Sequence, residues 1–274
     1  MIRVELVQLV RRPRTWVSIA LLCALPVIVA VLLSTTEIGP RPGEGPALLS
    51  AVLSNGALFP AASLGMVLPL FLPVAVSVVA GDSVAGEAAT GTLRYLLARP
   101  VGRTRLLVAK LTSTLAFVVM AVVAVGLTGY VLGRTLFPSG SGGSVAVPVS
   151  SLSGSTLSPR EVALRTMLAL AYIVWSMLGV AAVALFLSTF TESGLAAALG
   201  SLSLLVLSEV LVGLDAASAL KPYLVTRYWL SWVDLFRDPI LWHDVRHGVL
   251  LQGGYVVVLL GAAWANFMTR DITA

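Results

Sequence analysis

The pattern in this sequence closest to a catalytic motif is a pair of histidines, His243 and His247, with Asp244 between them. Residues four apart share one face of a helix, so the two imidazoles could bind one zinc ion, with a carboxylate where zinc proteases carry glutamate. Aspartate reaches one methylene less far toward a metal-bound water, and an arginine beside His247 adds a repelling charge. Only Asp234 or Asp238 could supply a third ligand. An intramembrane metalloprotease is therefore one alternative, but we predict no catalytic residue and no metal site.

A second chemistry-bearing residue is Glu209, an acid near the end of a long apolar segment. Ion-driven secondary transporters place ionisable residues deep in the membrane to bind coupling ions. A charge at the membrane centre costs about 2.5–3.5 kcal/mol and less near the interface. Because Glu209 lies close to the outer end of its segment, we interpret it as an interfacial or gate residue. A secondary transporter is thus the second alternative.

The two lysines of the chain, Lys110 and Lys221, cannot belong to a nucleotide-binding P-loop. That loop needs Gly-Lys followed by Ser or Thr, because the lysine and the backbone amides hold the phosphates. Here the lysines follow Ala109 and Leu220. We therefore expect no ATP hydrolysis, no enzyme activity and no cofactor on this chain.

The composition explains why residues that could do chemistry are so sparse. Of 274 residues, 58% are hydrophobic and 11% are charged, whereas about a quarter of a soluble domain is charged. A soluble fold of this size could not cover so much apolar surface. The net charge of +5 then concerns membrane topology and anionic lipid, and we expect no nucleic-acid partner. The single cysteine, Cys23, excludes an intrachain disulfide.

Six apolar segments are long enough to cross a membrane, since a helix spans the hydrocarbon core with about 20 residues. Backbone groups cannot face lipid unsatisfied, and no alternation of period two suggests a barrel, so the spans should be helices. The predicted fold class is all-α, a single polytopic domain over residues 1–274. Three prolines in the second span are expected to bend it. The predicted spans are residues 16–36, 58–80, 106–132, 166–188, 193–214 and 248–269.

Basic residues cluster at one side of the early spans. Four arginines precede the first span, and four more arginines with Lys110 lie between the second and third. Cytoplasmic loops carry an excess of Lys and Arg, and the early helices usually dominate orientation. We therefore place both clusters on the cytoplasmic side of a bacterial inner membrane. An even number of spans puts both termini on that same side.

The first fifteen residues have the pattern of an amphipathic helix lying on the membrane surface. Pro13 ends this helix before the first span begins. The cluster Arg11, Arg12 and Arg14 could act as part of this interfacial helix, or it could serve only to set the orientation of the first span. The predicted apolar stripe is Ile2, Leu6, Leu9 and Val10, with Glu5 and Gln8 among the residues pointing away from it.

Residues 83–99, between the second and third spans, have the pattern of a second amphipathic helix. Pro100 disfavours helical geometry at Arg99 and marks the end of this helix. Such a helix on the basic side could dock into a groove of a partner protein, or it could lie on anionic lipid. Its apolar face would carry Ala85, Ala89, Leu93, Leu96 and Leu97, and its polar face Glu87, Thr90, Gly91 and Arg94.

This segment resembles the cytoplasmic loop between spans two and three of ABC-2 type transport permeases. The six spans and the length of the chain extend the resemblance to the whole sequence. The N-terminal helix is similar to the elbow helix before span one in that family, and the aromatic stretch before span six resembles the place of its short re-entrant helices. The residues that carry the loop resemblance are Gly86, Glu87, Gly91, Thr92, Leu93, Leu96, Leu97, Arg99, Pro100, Arg103, Leu106, Leu107, Ala109 and Lys110.

The resemblance implies a membrane-spanning transport subunit, more often an exporter, driven by a separate cytoplasmic ABC ATPase that holds ATP and Mg²⁺. It also implies pairing with a second permease copy or a paralogue, since six spans are half the usual complement. In the family, residues 83–99 would form a coupling helix seated in a cleft of the ATPase. The residues carried over as ATPase contacts are Glu87, Gly91, Thr92, Arg94, Leu97, Arg99, Pro100 and Arg103.

Overall fold

The structure is a computed structural model that describes residues 2–36, 48–52, 55–89, 103–137 and 149–269. These residues are almost entirely helical. The α-helices are α1 (Ile2–Arg11), α2 (Pro13–Thr36), α3 (Leu49–Val52), α4 (Phe59–Val67), α5 (Phe71–Ala89), α6 (Arg103–Leu136), α7 (Pro159–Phe190), α8 (Gly194–Gly213) and α9 (Trp242–Thr269). Short 3-10 helices cover Gly56–Leu58, Asp215–Ala217, Lys221–Tyr223 and Trp229–Phe236, and a small antiparallel hairpin pairs β1 (Val149–Ser150) with β2 (Thr156–Leu157).

Five of these helices, α2, α6, α7, α8 and α9, are long and apolar enough to cross a membrane. A sixth crossing exists if α4 and α5 are counted as one span bent by 57°. The prediction of an all-α polytopic membrane protein is confirmed. Large parts of α2, α8 and α9 are exposed on the outside of this single bundle, as expected for surfaces that meet lipid or another chain.

The bend in the second predicted span lies at residues 68–70, between α4 and α5. Pro73 has no N–H group, so it cannot donate the helical hydrogen bond to the carbonyl of Pro69 four residues earlier. The first regular bond of the new helix is then made by Val74, whose N–H donates to Leu70 at 3.1 Å. The bend that the prolines predicted in the second span is therefore present.

Several helices continue beyond the apolar windows that located them. The third runs over Arg103–Leu136 and the fourth over Pro159–Phe190, against predicted spans of 106–132 and 166–188. An apolar window detects the part of a helix that lies in hydrocarbon, whereas capping decides where the helix ends. At the start of α7, Ser158 accepts a hydrogen bond from the Glu161 backbone, and the Glu161 carboxylate accepts one from the Ser158 backbone.

Gly56, in the 3-10 helix before α4, contacts Gly133 in the last turn of α6, and this contact is here called the glycine seam. The backbones approach so closely that a methyl group added at Gly133 would overlap the carbonyl oxygen of Gly56 and lie 3.0 Å from Cβ of Phe59. Phe59 in turn stacks on Phe137, with ring centroids 5.2 Å apart. Small residues let membrane helices pack backbone to backbone, where van der Waals contact supplies the attraction. This seam fixes the first half of the bent span against α6.

We expect Gly133→Ala to destabilise the folded protein by about 1–3 kcal/mol, because the neighbouring atoms belong to backbone and cannot move aside cheaply. The matched control is Gly261→Ala in α9, where an added methyl meets nothing within 4 Å. That control should be neutral or stabilising by up to about 1 kcal/mol, since alanine favours a helix more than glycine does. Denaturant unfolding in detergent micelles measures both, and equal effects of the two substitutions would contradict this packing.

One end of the bundle, here termed the basal end, is defined by a cluster of buried apolar side chains: Val84, Leu106, Leu107, Leu185 and Phe267. Helix α1 also lies at this end, against the start of α6. Near the end of the chain, the Trp264 indole donates to the Thr104 hydroxyl at 2.9 Å. The first helix and the last described turns of α9 therefore lie at the same end of the bundle, as an even number of crossings requires.

Candidate functional site

The second crossing leads directly into the segment predicted to contact a partner. Helix α5 continues without a break to Ala89, so residues 83–89 are a direct extension of the crossing and not a separate helix. Glu87 lies in the last turn of α5, and Arg103 is the first residue of α6. The remaining predicted contacts lie outside the described residues: Gly91, Thr92, Arg94, Leu97, Arg99 and Pro100.

A hydroxyl from α7 contacts the backbone of α5 close to this extension. Ser188 is fully buried, and its hydroxyl donates a hydrogen bond to the carbonyl oxygen of Gly81 at 2.6 Å. The Ser188 hydroxyl oxygen itself accepts hydrogen bonds from the backbone N–H groups of Ala85 at 2.9 Å and Val84 at 3.2 Å. Side-chain hydroxyls that enter a helical hydrogen-bond ladder are a recognised cause of bending. The basal part of α5 is thus connected to the end of α7.

Helix α8 approaches the same turn of α5 from another side. A methyl group added at Gly81 would lie 2.8 Å from the backbone nitrogen of Ala198, and one added at Gly194 would lie 2.9 Å from Cα of Asp82. Both glycines therefore permit backbone contact between α5 and the first turns of α8. Displacement of α5 at this level would displace α8 as well.

Two ion pairs connect the N-terminal region to this end of the bundle. Arg14, at the start of α2, approaches Asp82 of α5 at 2.6 Å, with side chains 47% and 30% exposed. An ion pair with this much exposure contributes about 0–1 kcal/mol because solvent screens it. Lys110 of α6 and Glu5 of α1 form the second pair at 2.8 Å. Their side chains are only 4% and 13% exposed, so this second pair is the structurally important one.

The placement of Glu5 corrects the helical pattern predicted for the N-terminus. Leu9 is buried as expected, but Ile2 and Val10 are exposed and Glu5 points toward α6. The physical reason is Lys110, which is buried at the base of α6 and needs a nearby negative charge. A ten-residue helix with several valines has more than one apolar face, so the sequence alone did not decide which face packs.

At the basal end, α5 extends toward the segment predicted to contact a partner. It is held there by polar contacts from α2 and α7 and by close backbone packing of α8. A family model described as ABC-2 family transporter protein matches residues 1–228 of the chain. The chain belongs to the ABC-2 transporter family. The match contains α1 through α8, and therefore the basal contacts described above except those of Trp264 and Phe267 in α9. A comparison with curated proteins finds no significant match.

In this ABC-2 transporter, the surface of α1 that faces away from α6 combines valines with arginines. Val4 and Val7 are 58% and 50% exposed, and they line a shallow groove together with Arg3, Arg11 and Arg12. A helix with apolar and basic side chains on its free surface suits the boundary between lipid tails and anionic headgroups. A role of Arg11 and Arg12 in an interfacial helix stays a prediction, whereas Arg14 pairs with Asp82.

At the opposite end, the aromatic segment before α9 folds into the bundle of the transporter. Trp232 and Phe236 are almost completely buried. The Tyr172 hydroxyl of α7 donates to the carbonyl of Tyr228 at 2.6 Å, and the Gln252 amide of α9 donates to the carbonyl of Val225 at 2.7 Å. From the rise of 1.5 Å per residue, these contacts lie about 15–20 Å along α7 and α9 from their outer ends. The aromatic segment therefore lies inside this end of the bundle and closes it.

Glu209, predicted as a gate residue, is exposed on the outer surface of α8. The inward face of that turn is formed by Leu205 and Ser208, and the Ser208 hydroxyl bonds to that of Thr226 in the aromatic segment at 2.9 Å. A carboxylate on an outside surface near the membrane is favourable only close to the interface or beside another chain. A gate role for Glu209 stays a prediction.

The histidine pair lies at the start of α9, with ring centroids 4.4 Å apart and both side chains exposed. The His247 ring nitrogen Nδ1 already contacts the His243 carbonyl oxygen at 2.8 Å. Within the described residues, no group of three or more His, Cys, Asp or Glu side chains could hold a metal ion. The metalloprotease alternative, based on His243 and His247, therefore has no support in this part of the chain.

Sequence reasoning did not find Ser188, Asp82 or the Glu5 to Lys110 pair. A polar residue in an apolar span usually makes a hydrogen bond, and Ser188 is such a residue. Its partners, however, are backbone atoms of a helix more than one hundred residues earlier in the sequence. No pattern within the span could have identified them.

Proposed function

We propose that this chain is the membrane-spanning subunit of an ATP-driven ABC exporter whose ATPase is a separate polypeptide. Membership of the ABC-2 transporter family supports a transport role. The observation that supports a separate driving ATPase is the unbroken course of α5, which runs from inside the bundle to the segment that begins at Glu87. A force applied to that segment would enter the membrane domain along a single helix.

The ATPase must be supplied by a partner, because neither lysine of this chain has the sequence setting of a P-loop. ATP and Mg²⁺ would bind to that partner, which leaves no covalent chemistry on this chain. Two six-span chains would form the complete membrane pathway. The exposed apolar faces of α2, α8 and α9 are available for lipid and for a second copy or a paralogue.

In the proposed mechanism, ATP binding closes a pair of ATPase subunits and displaces the segment between α5 and α6. The basal contacts of α5 transmit that displacement to α2, α7 and α8. The pathway between the paired bundles then changes shape, with the buried aromatic segment closing its outer end. The almost wholly apolar spans suit a lipid-like, drug-like or amphiphilic cargo.

The proposed orientation of the transporter in the membrane follows from the distribution of its charged residues. The basal end carries Arg3, Arg11, Arg12, Arg14 and Arg105, all outside or at the margin of the spans. The positive-inside rule places such an end in the cytoplasm, which is also the compartment that contains ATP. The transporter would then lie in a bacterial inner membrane with both termini cytoplasmic.

Co-purification tests this proposal most directly. A tagged chain, produced in its native host and purified in mild detergent, should retain one protein with a P-loop, and that complex should hydrolyse ATP. The control is an unrelated six-span protein with the same tag, purified in parallel. Transport by the reconstituted chain alone, with no nucleotide-hydrolysing companion, would contradict the proposal.

A further inference from the structure

Helix α5 contains a point at which its own hydrogen-bond ladder is shared with another helix. In a regular α-helix the N–H of Ala85 donates to the carbonyl of Gly81. The Ser188 hydroxyl contacts both of these groups, at 2.9 Å and 2.6 Å, and the neighbouring N–H of Val84 at 3.2 Å. We propose that Ser188 is a positioning residue that holds a hinge in α5 at residues 81–85, through which the displacement caused by ATP enters the bundle.

The Ser188 hydroxyl can support a hinge because it can replace the helical hydrogen bond from Ala85 to Gly81, which bending would weaken. A serine carries one donor and two acceptor positions. When the turn opens, the Gly81 carbonyl and the Ala85 N–H keep a buried partner and do not become unsatisfied groups. An unsatisfied buried backbone group would be costly, so the shared partner keeps the bent and straight forms close in energy.

The residues around the hinge favour bending at this turn. Gly81 and Gly86 lower the helix propensity of the stretch, each by about 1 kcal/mol relative to alanine. Within the hinge, the ion pair between Arg14 and Asp82 is partly exposed and therefore weak. Above the hinge, Val76 and Ala80 are fully buried in the bundle core. The part of α5 above the hinge is thus fixed by the core, whereas the ion pair at the hinge itself resists movement only weakly.

The position of Ser188 connects the hinge to two further helices. Ser188 lies two residues before the end of α7. The next residue, Thr189, accepts hydrogen bonds from the Asn266 amide of α9 at 3.0 Å and 3.1 Å. A change at the hinge would therefore reach the ends of α7 and α9 together. This inference rests on the proposed function, since the hinge matters only if an ATPase displaces the end of α5.

Hydrogen–deuterium exchange of the peptide that covers residues 81–89 tests the hinge. In the purified permease without nucleotide, Ser188→Ala should accelerate exchange of the Val84 and Ala85 amides about five- to tenfold, because one hydrogen-bond acceptor is lost. Ser188→Thr keeps the hydroxyl and should restore the original rate. The matched control is Ser77→Ala, which removes a fully buried hydroxyl of α5 that makes no hydrogen bond.

The second measurement uses the complex with its ATPase in nanodiscs, with and without ATP and vanadate. The wild-type chain, Ser77→Ala and Ser188→Thr should each show a nucleotide-dependent change in exchange over residues 81–89. Ser188→Ala should bind the ATPase with unchanged affinity but lose that change. A loss of folding in Ser188→Ala is recognised by a matching drop in the thermal midpoint. Ser188→Cys, which fills the same space with only a weak donor and acceptor, then replaces it and should lose the nucleotide-dependent change.

The outcomes separate the hinge from the proposed function. If an ATPase binds and ATP alters exchange in the chain, but Ser188→Ala responds to ATP like the wild-type chain, the hinge is refuted and the function stands. An equal response of Ser77→Ala and Ser188→Ala refutes it as well. If no ATPase binds and ATP alters exchange nowhere in the chain, the proposed function fails and the hinge has no role.

Discussion

Lys110→Met is expected to destabilise the folded chain by about 3–5 kcal/mol, because it leaves the largely buried carboxylate of Glu5 without its cation. Breaking one side of a buried pair is more damaging than removing both sides, since the remaining charge stays away from water. Glu5→Gln should also lower the stability, because the Lys110 side chain is only 4% exposed and loses the negative charge of Glu5.

The double variant Glu5→Leu with Lys110→Met separates the cost of burying one unpaired charge from the general importance of these positions. Replacing a buried pair by apolar groups is often close to neutral, so the double variant should recover most of the lost stability. Unfolding in mixed micelles with increasing denaturant gives the free energy of each variant. A double-mutant cycle then gives the coupling energy of the two residues.

Arg134→Met is the matched control, because it removes a cation from the other end of the same helix α6. Arg134 is exposed and contacts the neighbouring Tyr130 of its own helix at 2.8 Å. Its removal should change stability by less than about 1 kcal/mol. If Lys110→Met were as mild as Arg134→Met, α1 would not be held to the bundle by this pair.

The membrane architecture was readable from the sequence because hydrocarbon imposes one dominant requirement on a helix. Apolar length alone identified every crossing, and Pro69 and Pro73 identified the one that bends. The ends of the helices were less predictable. The α7 start depends on the capping box of Ser158 and Glu161, which lies outside the apolar window.

The basal contacts were not readable, because each one joins residues far apart in the chain. The partner of Lys110 is Glu5 on α1, more than one hundred residues earlier, and the helical pattern placed Glu5 away from the apolar stripe. The partners of Ser188 are backbone groups, which carry no sequence signal at all. Family resemblance predicted which segment contacts a partner, but only the structure shows which helices hold its ends.

Substitutions in the coupling segment should have the largest functional effect. Glu87→Arg and Leu97→Asp are each expected to weaken binding of the ATPase at least tenfold, which corresponds to about 1.4 kcal/mol. Glu87→Arg reverses a charge in the last turn of α5, and Leu97→Asp places a charge on the predicted apolar face. A few central residues carry most of the free energy of an interface, so single changes at such positions suffice. Membrane insertion and thermal stability should stay unchanged.

The controls for this prediction make the same chemical changes at the opposite end of the bundle. Asp244→Arg reverses an exposed charge at the start of α9, and Leu152→Asp charges an exposed leucine beside the β1–β2 hairpin. Titration of purified ATPase onto nanodiscs containing each variant gives the dissociation constants. Only the two basal substitutions should raise them, because an ATPase can reach only the cytoplasmic end. Unchanged binding and transport in both basal variants would remove the coupling role of residues 83–99. A loss caused equally by the outer controls would show that the variants act on folding and not on the ATPase contact.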